Sequence, residues 1–245
     1  MSLLEAGATA HLGHALADDP LLSLDALADA ADRLPPELVM CRPGDLPRLL
    51  PEHATVAVDG RPGDIARAVA SNGWWVRLAS LVPLPEYAAL LPRAAGQFEL
   101  MLRARGERIL AHDLQAFVAA PGTTVPLHFD RDHQLLVQIR GSKTVGIGRY
   151  ARDGVARRQL ARGFADPPMR PDVEPDIYEA RRLGPGDALF IAAATFHWVE
   201  NGADDVSIAL VCVARTERTE REAARLRLDA ARIGGSVSAD EEGAR

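Results

Sequence analysis

The sequence predicts a mainly β protein, a β-sandwich or barrel with flanking helices, and three observations carry that prediction. After Leu114 the chain breaks into short apolar runs divided by Gly and Pro: Gln115 to Ala120, Leu135 to Ile139, Lys143 to Ile147, Ala188 to Ala192 and Val206 to Val213. Before that point apolar residues recur at helical spacing. After it, the Glu, Arg, Ala and Leu run from Thr216 to Ile233 is strongly helix-forming.

Taken in order, Leu24, Leu27, Ala28, Ala31 and Leu34 mark an amphipathic helix that Ser23 caps and Pro35-Pro36 stops. A second helix is predicted from Asp64 to Ser71, ended by Asn72-Gly73 ahead of a strand over Trp74 to Leu78. Pro85 to Leu110 reads as helix again. The three residues Arg140-Gly141-Ser142 suit a hairpin that makes the Leu135 and Lys143 strands antiparallel neighbours. Arg149 to Arg182, rich in Arg, Asp and Pro, has no steady apolar period and is expected to leave the barrel rim as a lid or an idle loop. Gly234-Gly235 is expected to end the last helix, leaving SVSADEEGAR as a disordered tail. The expected organisation is residues 1–110 as a helical and strand segment packed on the barrel, 111–215 as the barrel with a metal site, and 216–245 as the C-terminal helix and polar tail.

With 245 residues, 47% apolar and 25% charged, the chain has enough apolar material for one well-buried core. The net charge of -6 comes from scattered groups with no basic stripe, so direct nucleic-acid binding is not expected. Cys41 and Cys212 are too few and too far apart for a disulfide framework, and both read as reduced and structural. MSLLEAGATAH has neither a basic n-region nor an apolar h-region, and no run approaches a membrane span, which leads to the expectation of a cytoplasmic location.

The stretch that carries chemistry is Val-Pro-Leu-His128-Phe129-Asp130. A strand's period of two places His128 and Asp130 on one face and Phe129 on the other. His197, beyond the Ala188 strand and the Gly184-Pro185-Gly186-Asp187 turn, is a candidate third ligand. Two His and one carboxylate on one face of an octahedron leave three positions open, the set used by non-haem Fe(II) oxygenases. Zinc more often takes a tetrahedral set without such openings. By itself His-x-Asp is a weak signal, since such pairs arise by chance.

The stretch from His128-Phe-Asp130 through Gln134, Gly141 and Lys143, then Gly186-Asp187-Ala-Leu-Phe-Ile and His197, resembles the JmjC hydroxylases of the cupin-like barrel class, the family of the asparaginyl hydroxylase of hypoxia-inducible factor. The resemblance covers about Leu114 to Arg215. It implies a double-stranded β-helix (jelly roll) in which His128, Asp130 and His197 hold Fe(II). It further implies that Lys143, fifteen residues after His128, binds the distal carboxylate of 2-oxoglutarate, with Gln134 near the cosubstrate. An ammonium in an apolar pocket is a sound partner for a carboxylate that sheds water on binding. Many related oxygenases place an Arg beyond the distal His for this purpose; here Ser207 stands ten residues after His197, which leaves Lys143 as the better cation.

The resemblance implies a 2-oxoglutarate-dependent dioxygenase hydroxylating a protein or peptide side chain or a small metabolite, with a homodimer through the C-terminal helix or that helix packed on its own barrel. One departure stands out. Val125, three residues before His128, replaces a hydroxyl residue that grips the cosubstrate, and Thr124 faces the other way. That feature keeps open a non-catalytic cupin-like binding or regulatory module, and a metal-dependent cupin enzyme without 2-oxoglutarate; the latter leaves Lys143 unexplained. His133 falls on the opposite strand face. Arg131 and Asp132 border the site or are solvated, and His11, His14, His53 and His112 lack metal-like partners. Trp198 and Asn201 are candidate channel or turn residues.

Overall fold

A computed structural model of the chain describes residues 9–50, 60–164 and 169–231, together with the backbone of 165 and 232–242; His53 lies outside the described residues. The elements are β1 (Thr9–Gly13), α1 (Leu24–Arg33), β2 (Val39–Pro43), α2 (Pro62–Arg67), α3 (Val69–Asn72), β3 (Trp74–Leu78) and α4 (Pro85–Ala104). There follow β4 (Ile109–Ala119), β5 (Thr124–His128), β6 (His133–Arg140), β7 (Lys143–Arg149), α5 (Asp153–Ala165), β8 (Ile177–Leu183), β9 (Asp187–Ile191), β10 (Phe196–Asn201), β11 (Ser207–Thr216) and α6 (Glu217–Glu242). Seven strands form one sheet in the order β1-β9-β6-β11-β4-β3-β2, and four form a second in the order β5-β10-β7-β8. Among the described residues all neighbouring strands in both sheets pair antiparallel. This is the mainly β jelly roll with flanking helices that the sequence predicts.

The period of two sorts the apolar residues into layers. On β4, β6 and β11, Leu114, Ala116, Val118, Leu135, Val137, Leu210 and Cys212 point outward and pack with α1 and α4, chiefly through Leu27, Tyr87 and Phe98. The alternate residues Leu136 and Val211 point inward and meet Val145, Ile147 and Val199 of the smaller sheet. Phe129, Phe196 and Trp198 lie beyond the smaller sheet, where α5 and α6 cover them with Leu160, Phe164, Ala223 and Leu226. Each fully buried Leu, Val, Ile or Phe among them contributes about 1.5–3 kcal/mol by burial. Ser23 caps α1, its Oγ accepting from the Ala26 N–H, and Gly73, at φ +69, ends α3. Cys41 and Cys212 are free and buried, and burial pushes their thiols up to about 11 and about 12.

Several expectations are corrected. Arg140-Gly141-Ser142 is not a hairpin between paired strands, because β6 belongs to the larger sheet and β7 to the smaller. It is a corner between sheets, and Gly141 is required there: its φ is +65 and a Cβ would lie 2.5 Å from the Val206 carbonyl oxygen. The helix from Pro85 stops at Ala104; Gly106, at φ +74, reverses the chain, and Ile109 and Leu110 already belong to β4. The segment from Arg149 to Arg182 is not an irregular excursion, since it holds α5 and β8. β8 is an edge strand with alternating exposure, so its polar composition hid it. α6 runs through Gly234-Gly235 to Glu242, where a disordered tail was expected. A helical Gly costs about 1 kcal/mol without forbidding the turn.

Candidate metal centre

β5 and β10 are neighbours, and their register sets His197 directly opposite His128. The two imidazole rings lie 4.2 Å apart between centroids. β5 ends at His128, so Asp130 stands just past the strand and not on its face as the sequence spacing suggests. A backbone tie brings it back: the Ala194 N–H donates to the Asp130 carbonyl oxygen at 2.8 Å, and Ala194 holds φ +60. Asp130 Oδ2 then lies 3.7 Å from His128 Nε2 and 3.4 Å from His197 Nε2. One ligand atom from each of the three residues falls within 4.8 Å of the others.

The donor set fits a divalent transition metal. His128 Nδ1 donates to the Pro126 carbonyl at 2.8 Å and His197 Nδ1 to the Thr195 carbonyl at 2.9 Å. Those bonds assign the proton to Nδ1 and leave both Nε2 lone pairs facing the shared centre. Burial, followed by repulsion from His197, pulls His128 down to about 4 and keeps it neutral. Asp130 Oδ2 is buried with no hydrogen-bond partner. An orphaned carboxylate oxygen costs several kcal/mol unless something cationic meets it.

The triad opens into a cavity of about 280 Å³ between the sheets. Lys143 and Gln134 line this cavity too, so all five residues singled out in the sequence surround one space. Lys143 is 4% exposed, and among the described residues no carboxylate pairs with it. Burial pulls its ammonium down to about 7. It is also the chain's single lysine beside 27 arginines, a signal available in the sequence, because a surface cation would be free to be Arg. Asn201 sits opposite Lys143 in register; its Nδ2 donates to Thr123 while its Oδ1 is buried without a partner. Val125, Leu136, Val199 and Val211 supply apolar wall.

The remaining candidates turn away. His133 accepts from the Ala193 N–H through Nδ1, with Nε2 3.8 Å from Glu107. Arg131 and Asp132 engage Glu220 and Thr219 of α6. His11 pairs with Asp187, His112 with Glu99, and His14 bonds the Gln138 carbonyl. Trp198 points out of the barrel under the Arg48 guanidinium, 4.0 Å above its ring. Leu226 of α6 packs with the α5 residues of its own chain. Sequence reasoning missed three cavity residues, Arg77, Gln115 and Arg170. Arg77, two residues after Trp75, shares its strand face and was readable from that period; Arg170, in a connection, carried no such signal.

No family model matches the chain. It is 30% identical over 109 residues to Jumonji C domain-containing protein 5 of Drosophila melanogaster, an alignment covering 40% of this chain and 27% of that protein. A crystal structure of the Escherichia coli ribosomal oxygenase YcfD superposes with a TM-score of 0.50 at 18% identity, over 84% of this chain and 48% of that one. Another YcfD structure, with cobalt and 2-oxoglutarate, gives 0.39 at 20% identity over 58% of this chain and 32% of that one. The chain thus spans about a quarter and about half of the lengths of these two proteins, and it shares the JmjC/cupin jelly-roll fold. Among the described residues no helix is long and apolar enough to cross a membrane.

Proposed function

We propose that this chain is an Fe(II)- and 2-oxoglutarate-dependent oxygenase that hydroxylates a protein or peptide side chain or a small metabolite. The carrying observation is one cavity lined both by a three-donor set whose Asp130 Oδ2 has no hydrogen-bond partner and by a buried lysine with no carboxylate partner among the described residues. His128, Asp130 and His197 would hold the metal and leave three positions open. Bound iron, with 2-oxoglutarate and O₂, supplies the oxidising power for C–H hydroxylation.

The protein's own residues orient and exclude water. The Pro126 and Thr195 carbonyls fix the ring orientations of His128 and His197. Lys143 receives the distal carboxylate of the cosubstrate and holds a proton on Nζ while doing so, a dry ion pair stronger than one in water. Gln134 offers an amide to the same ligand. Val125 gives no hydroxyl there, so Lys143 carries a larger share of the recognition.

The test is succinate formation from 2-oxoglutarate. Slow formation dependent on Fe(II) and O₂ is expected, abolished in His197→Ala and with the KM for 2-oxoglutarate raised about tenfold or more in Lys143→Ala. Metal binding without any succinate, indifferent to Lys143→Ala, would favour the cupin-like binding module.

A further inference from the structure

We infer that Arg170 is a specificity residue that receives a carboxylate of the primary substrate beside the metal centre, so that the substrate is an acid: a peptide with an Asp or Glu side chain near the reacting position, or a free carboxylic acid. The inference rests on the reading proposed above.

Position is the first observation. Phe129, between the ligands His128 and Asp130, donates its N–H to the Met169 carbonyl at 3.1 Å. That bond, with Met169 held at φ +60, seats the next residue against the triad. Gly163 of α5 makes the approach close: a Cβ there would lie 2.6 Å from the Phe129 ring and 3.0 Å from Met169 Cα. Arg170 therefore lines the cavity from a braced segment, not a free loop.

Partnership is the second. The guanidinium is half-buried and donates from Nη1 to the Leu50 carbonyl at 3.2 Å, and among the described residues no carboxylate pairs with it. Five donors in a planar fork, with one engaged, leave a bidentate face for a carboxylate. Burial and the nearby Arg42 charge both disfavour its cationic form, a cost that an arriving anion relieves.

Charge balance is the third. Among the described residues that line the cavity, Asp130 is the one carboxylate. A divalent metal, Asp130, a doubly ionised 2-oxo acid and Lys143 cancel. Two guanidiniums are then left over, Arg170 and Arg77. Arg77 is already braced, giving Nε and Nη2 to Gln115 Oε1 at 3.2 and 2.9 Å. Although the chain carries -6 overall, its loaded cavity is positive. A basic substrate side chain would enter against that field, and an acidic one with it.

The experiment measures calorimetric binding to protein loaded anaerobically with Fe(II) and 2-oxoglutarate. One arm uses nonapeptides identical except for a central Asp, Glu, Asn, Gln or Lys; the other sets the free acids propionate and phenylacetate against propionamide and phenylacetamide. The expected result is a preference of about tenfold or more for the carboxylate over its amide in one arm, abolished in Arg170→Gln and partly restored in Arg170→Lys. The Kd for 2-oxoglutarate should stay within about twofold in these variants and rise in Lys143→Ala. Whichever arm responds identifies the source of the acid. Preference for Lys or the amides, no binding in either arm, or a preference surviving in Arg170→Gln overturns the inference while 2-oxoglutarate binding stands. Failure of the wild type to bind 2-oxoglutarate would instead overturn the parent reading. Arg170→Lys keeps the comparison usable should the Gln variant fold poorly.

Discussion

Two histidine–carboxylate neighbourhoods lie a few residues apart in this chain, and only one is built to bind. At the cavity, His128 and His197 face Asp130, whose Oδ2 has no hydrogen-bond partner. At the junction of β4, β6 and α6, His133 faces Glu107 at 3.8 Å, but Glu107 accepts from the Thr216 hydroxyl at 2.8 Å and pairs with Arg218. Burial pulls His128 and His133 alike down to about 4. A depressed histidine beside an acid is thus no mark of a site. What separates the two is the remaining valence: three donors converging on one shared point that opens on a cavity, against a carboxylate saturated by its own fold.

The largest expected effect breaks the cavity side alone. Asp130→Ala or His197→Ala should weaken Fe(II) affinity by about a hundredfold or more, read by calorimetry under anaerobic conditions, whereas His133→Ala should leave it unchanged. A loss of metal in His133→Ala equal to that in His197→Ala would erase the distinction.

Next comes Lys143→Met, which should cost 2-oxoglutarate binding yet stabilise the apo-protein. Lysine's pKa falls from 10.5 unfolded to about 7 folded, so the folded state resists a proton that the unfolded chain takes. That penalty is fully present below about pH 7 and vanishes above 10.5. Its removal is worth up to about 5 kcal/mol at neutral pH or below, measured by denaturant titration across that range. Glu107→Gln, on the other side of the comparison, should instead destabilise by about 1–3 kcal/mol, since it weakens a satisfied buried network.

A smaller effect concerns acid. His133 is depressed from 6.5 to about 4, so its stabilising neutrality is intact above 6.5 and lost as pH falls towards 4. His133→Gln should flatten the stability slope across that window by up to about 3 kcal/mol. An unchanged slope would show that His133 is not held neutral by burial. Gly146→Ala, behind the site, is of similar size: a Cβ there would meet the Trp198 ring at 2.1 Å, an overpacking that should cost about 1–3 kcal/mol in stability, measured by denaturant titration.

Much of this was legible beforehand, and the misses share a cause. The His128–Asp130 pair could be noticed because its spacing is local, His197 joined it through the family resemblance, and the layered core could be read because strand alternation is local. The partner of a strand is not local. β6 and β7 are joined by only Gly141 and Ser142 yet belong to different sheets, so a good hairpin signal at Gly141 marked a corner. β1, β2 and β8 are short or half-exposed strands at or near sheet edges, whose composition does not separate them from loops. Asp130 reaches the centre through a backbone bond to Ala194, a contact across the barrel that no spacing encodes. Arg170 was invisible for the same reason: a connection places it, and the bond from the Phe129 N–H to the Met169 carbonyl, forty residues of chain apart, decides where it points.

The most direct measurement is anaerobic titration of the apo-protein with Fe(II) and 2-oxoglutarate, following the weak visible charge-transfer absorption of an iron-chelated 2-oxo acid. The account predicts that the band appears, is lost in His197→Ala, and needs about tenfold or more 2-oxoglutarate in Lys143→Ala. Folded, iron-loaded protein that never develops the band would contradict it and leave the cavity to a cupin chemistry without 2-oxoglutarate.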